Sequence, residues 1–197
     1  MLKVALPQPA GITVYEYYAK ENSCVKFYDV AERTSGTLHT LCPTEVCSCA
    51  EANCPQLKGP EVPEEDNRNE EACDKKDFAY KATLKEVKPS RSTISYVFTI
   101  VEVIKEGSDP VQPKDQRIFL AHSQCKGKLD LKVGKDYLIM GAEPKKVEGS
   151  YRYVFGSQNW IEYWPTSRES QENDNNRDRY KGLAGFRHIL NTFGCLI

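Results

Sequence analysis

Cysteine offers the most chemical choice in this chain, and eight occur among 197 residues. Cys42, Cys47, Cys49 and Cys54 fall within thirteen positions. Four thiolates so close can hold zinc tetrahedrally or be oxidised in pairs. Zinc sites usually group ligands as C-x-x-C, whereas here the gaps are four, one and four residues and no histidine pair stands nearby. Disulfides are therefore the favoured reading. Cys195 lies close to the end, and bonding it to an upstream cysteine would clamp the C-terminal element onto the rest. A bridge closing ~100 residues restricts the unfolded chain by about 4.7 kcal/mol. His39, His122 and His188 are scattered and read as surface or core residues rather than ligands. No serine or histidine carries a nucleophile signature, and no glycine loop is set to cradle phosphate. The chain reads as a non-enzyme on these grounds, although triads are assembled in space and sequence order alone does not decide the point.

Lys and Arg number 27 against 28 Asp and Glu, so no global field draws the protein to nucleic acid or to an anionic membrane. Partners must be recognised locally. Disulfide-type cysteine usage fits a secreted, extracellular protein. The first twenty residues hold Pro7 and Pro9 and no continuous apolar run, which does not make a signal peptide. No stretch is apolar for long enough to insert in a membrane as a helix. Together these features predict the C-terminal piece of a larger precursor; a truncated coding sequence would look the same. With 40% hydrophobic residues, the length supports one domain plus a fraction of another.

The elements that must position the cysteines are mostly strands. Residues 12–18 are dense in β-formers after Pro7, Pro9 and Gly11, and Val25 to Tyr28 reads as the neighbouring strand. Pro55 to Glu71 is acidic and proline-bearing, with too little apolar surface to offset ordering, and predicts a linker or long surface loop. Beyond Cys73 come Ala79 to Val87 and Ile94 to Ile104, the second alternating with period two. Arg117 to Ala121, Tyr137 to Ala142, Tyr151 to Phe155 and Trp160 to Trp164 follow between turn residues. Five or six such strands predict a small barrel. Leu183, Phe186, Leu190 and Phe193 recur at helical spacing before Gly194, which predicts one amphipathic helix packed on that barrel.

Several motifs then resemble a known family. Val14-Tyr15-Glu16-Tyr17-Tyr18, Cys24 with Phe27-Tyr28, and Glu45-Val46-Cys47-Ser48-Cys49-Ala50-Glu51-Ala52-Asn53-Cys54 are similar to the C-terminal region of complement components three, four and five, of the alpha-2-macroglobulin superfamily. Ala72-Cys73, Ile104-Lys105-Glu106-Gly107-Ser108-Asp109, Cys125, Tyr137-Leu138-Ile139-Met140-Gly141, Trp160-Ile161-Glu162-Tyr163-Trp164-Pro165 and Phe193-Gly194-Cys195 continue the likeness in order. The resemblance implies a mainly β fold with flanking helices: an OB-like five-stranded barrel of netrin-like type, packed by a C-terminal helix. It implies terminal strands of a macroglobulin-type domain over 1–41, a cysteine-rich connector and acidic linker over 42–72, and the netrin-like domain over 73–197. It further implies bridges Cys42 to Cys47, Cys54 to Cys125 and Cys73 to Cys195, with Cys24 and Cys49 pairing outside this sequence. The family usually has a further cysteine pair between the Trp-Pro motif and the last helix. Here Ser170 and the Arg179-Tyr180 region occupy those places, which predicts a looser loop. The thioester and proteolytic activation sites of the family are not among these residues.

The function so implied is a non-catalytic interaction module of a complement-like protein. It would bind the remainder of the parent protein and dock a protease zymogen or a terminal-pathway component. Family members dock a protease through a partner-held Mg ion that accepts the terminal carboxylate, and Ile197 would supply it, with no cofactor or metal of the chain's own. The alternative is a netrin-like endopeptidase inhibitor acting on metalloproteinases, which chelates zinc through an N-terminal cysteine; the first cysteine here is Cys24, deep in the chain. Single-stranded nucleic acid is a third partner class for OB-type barrels, and Tyr151, Tyr153 and Phe155 beside Lys145, Lys146 and Arg152 offer a faint version. Near-zero net charge and the cysteines argue for no nucleic acid, with those aromatics filling the sheet face instead.

Overall fold

The computed structural model describes residues 10–15, 17–18, 23–28, 54–59, 61–63, 65–90, 93–122, 125, 127, 129–147 and 150–195. Two compact units are present, Met1–Ser48 and Cys49–Ile197. In the first, β1 (Ala10–Tyr15) and β2 (Ser23–Tyr28) form an antiparallel pair, from Ala10 opposite Tyr28 to Tyr15 opposite Ser23. The first strand stops short of the expected Tyr18. The strand pairing ends at Tyr15 with Ser23, and Tyr17 and Tyr18 fall in a bend, 78% and 96% exposed.

The second unit is a seven-stranded sheet with a C-terminal helix, consistent with an OB-like fold. Its strands are β3 (Phe78–Pro89), β4 (Thr93–Lys105), β5 (Gln116–His122), β6 (Asp136–Gly141), β7 (Lys145–Val147), β8 (Ser150–Val154) and β9 (Trp160–Trp164). Their order is β7-β8-β5-β4-β3-β6-β9, antiparallel throughout except for the short β5/β8 pairing at Phe119 with Tyr153 and Leu120 with Val154. The expected five-stranded barrel thus has more strands than foreseen. One reason is β7, only three residues long and carrying two lysines, too short to show a period.

Alternation sorts the side chains into two cores. Tyr80, Leu84, Phe98, Ile100, Phe119, Tyr137, Ile139, Tyr153, Phe155 and Ile161 pack on the inner side of the curved sheet. Phe119 is its hub, stacked on Phe155 at 4.7 Å and edge-on to Phe98 at 5.5 Å between ring centres. On the outer side, Ala79, Leu138, Met140, Trp160 and Trp164 meet Leu183, Phe186 and Leu190 of the C-terminal helix. β6 and β9 are covered on both faces, which is why they read as near-continuous apolar runs rather than alternating ones.

That helix, α2 (Asp174–Phe193), starts at Asn173, whose side chain accepts the Asn176 backbone N–H at 2.7 Å. It ends at Gly194, whose φ of 65° lies in the left-handed region that glycine enters without a Cβ clash. Phe193, expected in the buried stripe, is 58% exposed. At 100° per residue it lies on one flank of the stripe, while the last-turn contacts come from the other flank, where Asn191 and Arg187 reach Glu102.

A further expectation fails for a physical reason. The stretch from Pro55 to Glu71, read as a linker or long surface loop, is fastened to the sheet at Leu57, Lys58 and Arg68. Leu57 bridges to Ile161, the Lys58 N–H donates to the Ile161 carbonyl at 2.8 Å, and the Lys58 ammonium sits 4.0 Å over the Trp160 ring. Residues Glu65–Glu70 form α1, which runs on as a π-helical turn over Glu71–Lys75. Charge pairing and a disulfide order this segment where apolar area would not.

The loop after β9, where the family's further cysteine pair is missing, carries polar contacts. Glu169 accepts both the backbone N–H and the hydroxyl of Thr166 at 2.8 Å, and its carboxylate pairs with Lys135. Ser170 donates to the Ser167 carbonyl at 2.7 Å. Lys135 first, then the Thr166 N–H, hold the Glu169 carboxyl at about 2. A depressed carboxyl stabilises the fold above its unfolded value of 4.5 and loses that contribution as pH falls toward 2. Glu169→Gln should therefore melt below the parent chain near neutral pH and level with it near pH 2. An equal gap at both ends would show that the carboxylate charge does not hold this loop.

Candidate functional site

Of the predicted site residues, Cys73 and Cys195 fasten the end of the C-terminal helix, and a buried charge network fastens the helix upstream of them. Strand β9 turns Trp160, Glu162 and Trp164 toward α2, with Ile161 and Tyr163 on the inner side. Glu162 is fully buried there. From α1, Arg68 grips it with both forks, Nε to Oε2 at 2.9 Å and Nη2 to Oε1 at 2.7 Å. The Trp160 indole N–H donates to Oε2 at 3.1 Å. From α2, the Arg179 Nε stands 4.0 Å from Oε1, and its Nη2 donates to the carbonyls of Gly59 at 2.6 Å and Glu61 at 3.3 Å. Burial pulls Arg179 below the ordinary guanidinium range, with Glu162 opposing the shift. One carboxylate thus ties α1, β9 and α2 together, gripped through two Arg68 nitrogens while the third, Nη1, is buried without a hydrogen-bond partner among the described residues.

Gly182 of α2 lies against this group, and a Cβ there would stand 2.7 Å from the Arg68 Nη1. Arg68 is fully buried and doubly bonded, so it cannot swing aside. Gly182→Ala should lower the denaturant midpoint despite gaining about 1 kcal/mol in helix propensity. An unchanged or raised midpoint would mean that Arg68 has room to yield.

Two disulfides are formed among the described residues. Cys54 bonds to Cys125 with Cα atoms 5.3 Å apart, and Cys73, in the π-helical turn, bonds to Cys195, just past Gly194, at 5.4 Å. The second fixes the end of α2 two residues before Ile197. Cys54 is consumed in its bridge, so the four clustered cysteines do not form one zinc site, and no group of three metal-ligating residues occurs among the described residues. Cys42, Cys47, Cys49 and Ile197 lie outside the described residues, as does His39. Cys24 is placed by its backbone in β2, opposite Val14.

A second buried cluster works on the inner side. Arg117 holds Asp109 with both forks, at 2.7 and 3.2 Å, and the Tyr153 hydroxyl donates to Asp109 Oδ2 at 2.7 Å. Burial, then the Asp109 carboxylate, raises Tyr153 above the ordinary phenol range, and burial pushes Tyr80 up to about 12. Both phenols stay protonated, and Tyr153 acts as a strut between β8 and the β4–β5 connection. Tyr153 and Phe155 are 2% exposed, and Tyr151 is covered by the Lys146 ammonium 5.3 Å from its ring centre. The aromatics weighed for base stacking therefore belong to the sheet.

Glu162, Arg68 and Arg179 escape a reading by motif alone, yet each left a trace. Glu162 interrupts an apolar strand with a tryptophan two residues to either side on the same face. Arg179 precedes Leu183, Phe186 and Leu190 at helical spacing and so sits in the buried stripe. Arg68 stands in an acidic stretch and gave no such sign.

Comparison with known proteins agrees with this architecture. The UNC-6/NTR/C345C module matches residues 70–177, and the A-macroglobulin receptor binding domain matches residues 1–29. Complement C3 of Oncorhynchus mykiss is 40% identical over 98% of this chain, Venom factor of Crotalus adamanteus 33% and Cobra venom factor of Naja kaouthia 31%, each over the same share. The chain spans 12% of the length of each of these relatives. With the module match covering more than half of the sequence, from the π-helical turn through every strand of the sheet and into α2, the chain belongs to the UNC-6/NTR/C345C family, as a complement-like module preceded by residues of the macroglobulin receptor-binding type.

Proposed function

We propose that the chain is a non-catalytic docking module of a secreted complement-like protein, which presents its C-terminal end to a protease zymogen. One observation carries this reading: α2 is held by Arg179 at the Glu162 network, by Leu183, Phe186 and Leu190 in the outer core, and at its end by Cys73 to Cys195, two residues before Ile197. A terminus supported in this way loses little freedom on binding. The Ile197 carboxylate is the group offered, a hard oxygen ligand suited to a Mg ion held by the partner. The disulfides fit an oxidising compartment, and no helix among the described residues is long and apolar enough to cross a membrane.

Surface-capture binding of a complement protease zymogen, with and without Mg, tests the reading. Amidating Ile197 or extending the chain beyond it should abolish the Mg-dependent part of binding. Undiminished affinity would sink the carboxylate proposal and leave a terminal-pathway component as the partner to assay next. Metalloproteinase inhibition receives no support from the geometry, because Cys24 lies inside the paired strand β2 rather than at a free amino terminus.

A further inference from the structure

The two bridges differ in what surrounds them. Cys54 and Cys125 are 3% and 1% exposed, sealed beneath the sheet. Cys195 is exposed, on the turn that follows α2, and Cys73 is half-buried against the outer core. Thiol exchange needs a thiolate to reach one sulfur of the pair, so the exposed Cys195 is the more open side of the second bridge.

The other sulfur is well placed to leave. Cys73 sits in the π-helical turn, where the Lys105 ammonium donates to the carbonyls of Ala72 at 2.7 Å and Lys76 at 2.6 Å, on either side of it in sequence. Lys75 and Lys76 are answered by Glu70 and Glu71. Lys105 is held by carbonyl oxygens rather than a carboxylate, on the backbone turn that carries Cys73, and a cation beside a cysteine favours its thiolate. Lower basicity of the departing thiol speeds exchange.

We infer that Cys195 is a site of reversible S-thiolation by a low-molecular-weight thiol, with Cys73 as the leaving group. A thiolate forms a bond to the Cys195 Sγ as the Cys73–Cys195 bond breaks, and the electron pair departs on Cys73. A second thiol then attacks the mixed disulfide, releasing the Cys195 thiolate and the oxidised thiol dimer, so that two thiols supply the two electrons. The folded state survives the step, because Arg179, Leu183, Phe186 and Leu190 hold α2 upstream of the cleaved bond.

The experiment exposes the intact chain, undenatured at neutral pH, to graded glutathione, quenches with acid, alkylates, and maps each cysteine by peptide mass spectrometry. Glutathione should appear on Cys195 and free thiol on Cys73 at least tenfold faster than any change at Cys54 or Cys125. Equal rates at the two bridges, or the adduct on Cys73, would overturn the assignment. Lys105→Gln should slow the step roughly threefold while Lys105→Arg leaves it unchanged; an unslowed Lys105→Gln removes the leaving-group role.

Discussion

Glu162→Ala is expected to destabilise the second unit by about 3–5 kcal/mol, the range for removing one partner of a buried ion pair. Arg68 would be left fully buried with its Nε and Nη2 facing no acceptor, and the Trp160 indole would lose its oxygen at the same time. Arg179 would lose the charge that offsets its desolvation. Glu162→Gln keeps the shape but offers only one acceptor oxygen to two guanidinium donors, so it should fall between the parent and the alanine variant. Replacing Arg68 and Glu162 together by methionine should recover much of the loss, because an apolar pair removes both desolvation penalties. Urea unfolding of the three variants, with an unchanged slope, measures this. A loss below about 1 kcal/mol for Glu162→Ala would mean that water reaches the network.

The double variant Cys54→Ser with Cys125→Ser ranks next. The bridge closes a sequence separation of 71 residues, for which the chain-entropy account gives about 4 kcal/mol. Two buried hydroxyls in place of the sulfurs add to the cost unless they find partners. For a unit of this size about 4 kcal/mol corresponds to roughly a 10 °C fall in Tm. Calorimetry on the variant and the parent at equal concentration reads it directly. A fall of under roughly 3 °C would show that the unfolded ensemble is already constrained by other means.

How much of this was legible depends on how each element is buried. The period-two pattern of Ile94 to Ile104 was readable because β4 buries its even-numbered positions from Ile94 to Ile100 in one core. The stripe at Leu183, Phe186 and Leu190 was readable for the matching reason in α2, and Phe193 misled because periodicity does not tell where the support beneath a helix ends. The segment at 55–71 was misread because its order comes from a single arginine, a bridge to Ile161 and a disulfide, none of which raises local hydrophobicity. The partners of Cys54 and Cys73 followed from family likeness alone, since spacing leaves many connectivities open. The contacts of the Glu169 loop were not legible, because a missing cysteine pair says nothing of Lys135 and Thr166.

The covering of β9 by Leu57 and Lys58 bears on self-association. An outermost strand with bare amide and carbonyl groups invites another molecule to extend the sheet, the first step toward fibrous aggregates. Here one margin is occupied by the chain's own backbone at Ile161, and the opposite one, β7, is short and bears Lys145 and Lys146, whose like charges repel a second copy. Solubility of the sheet therefore depends partly on a stretch that contributes little to its hydrophobic interior.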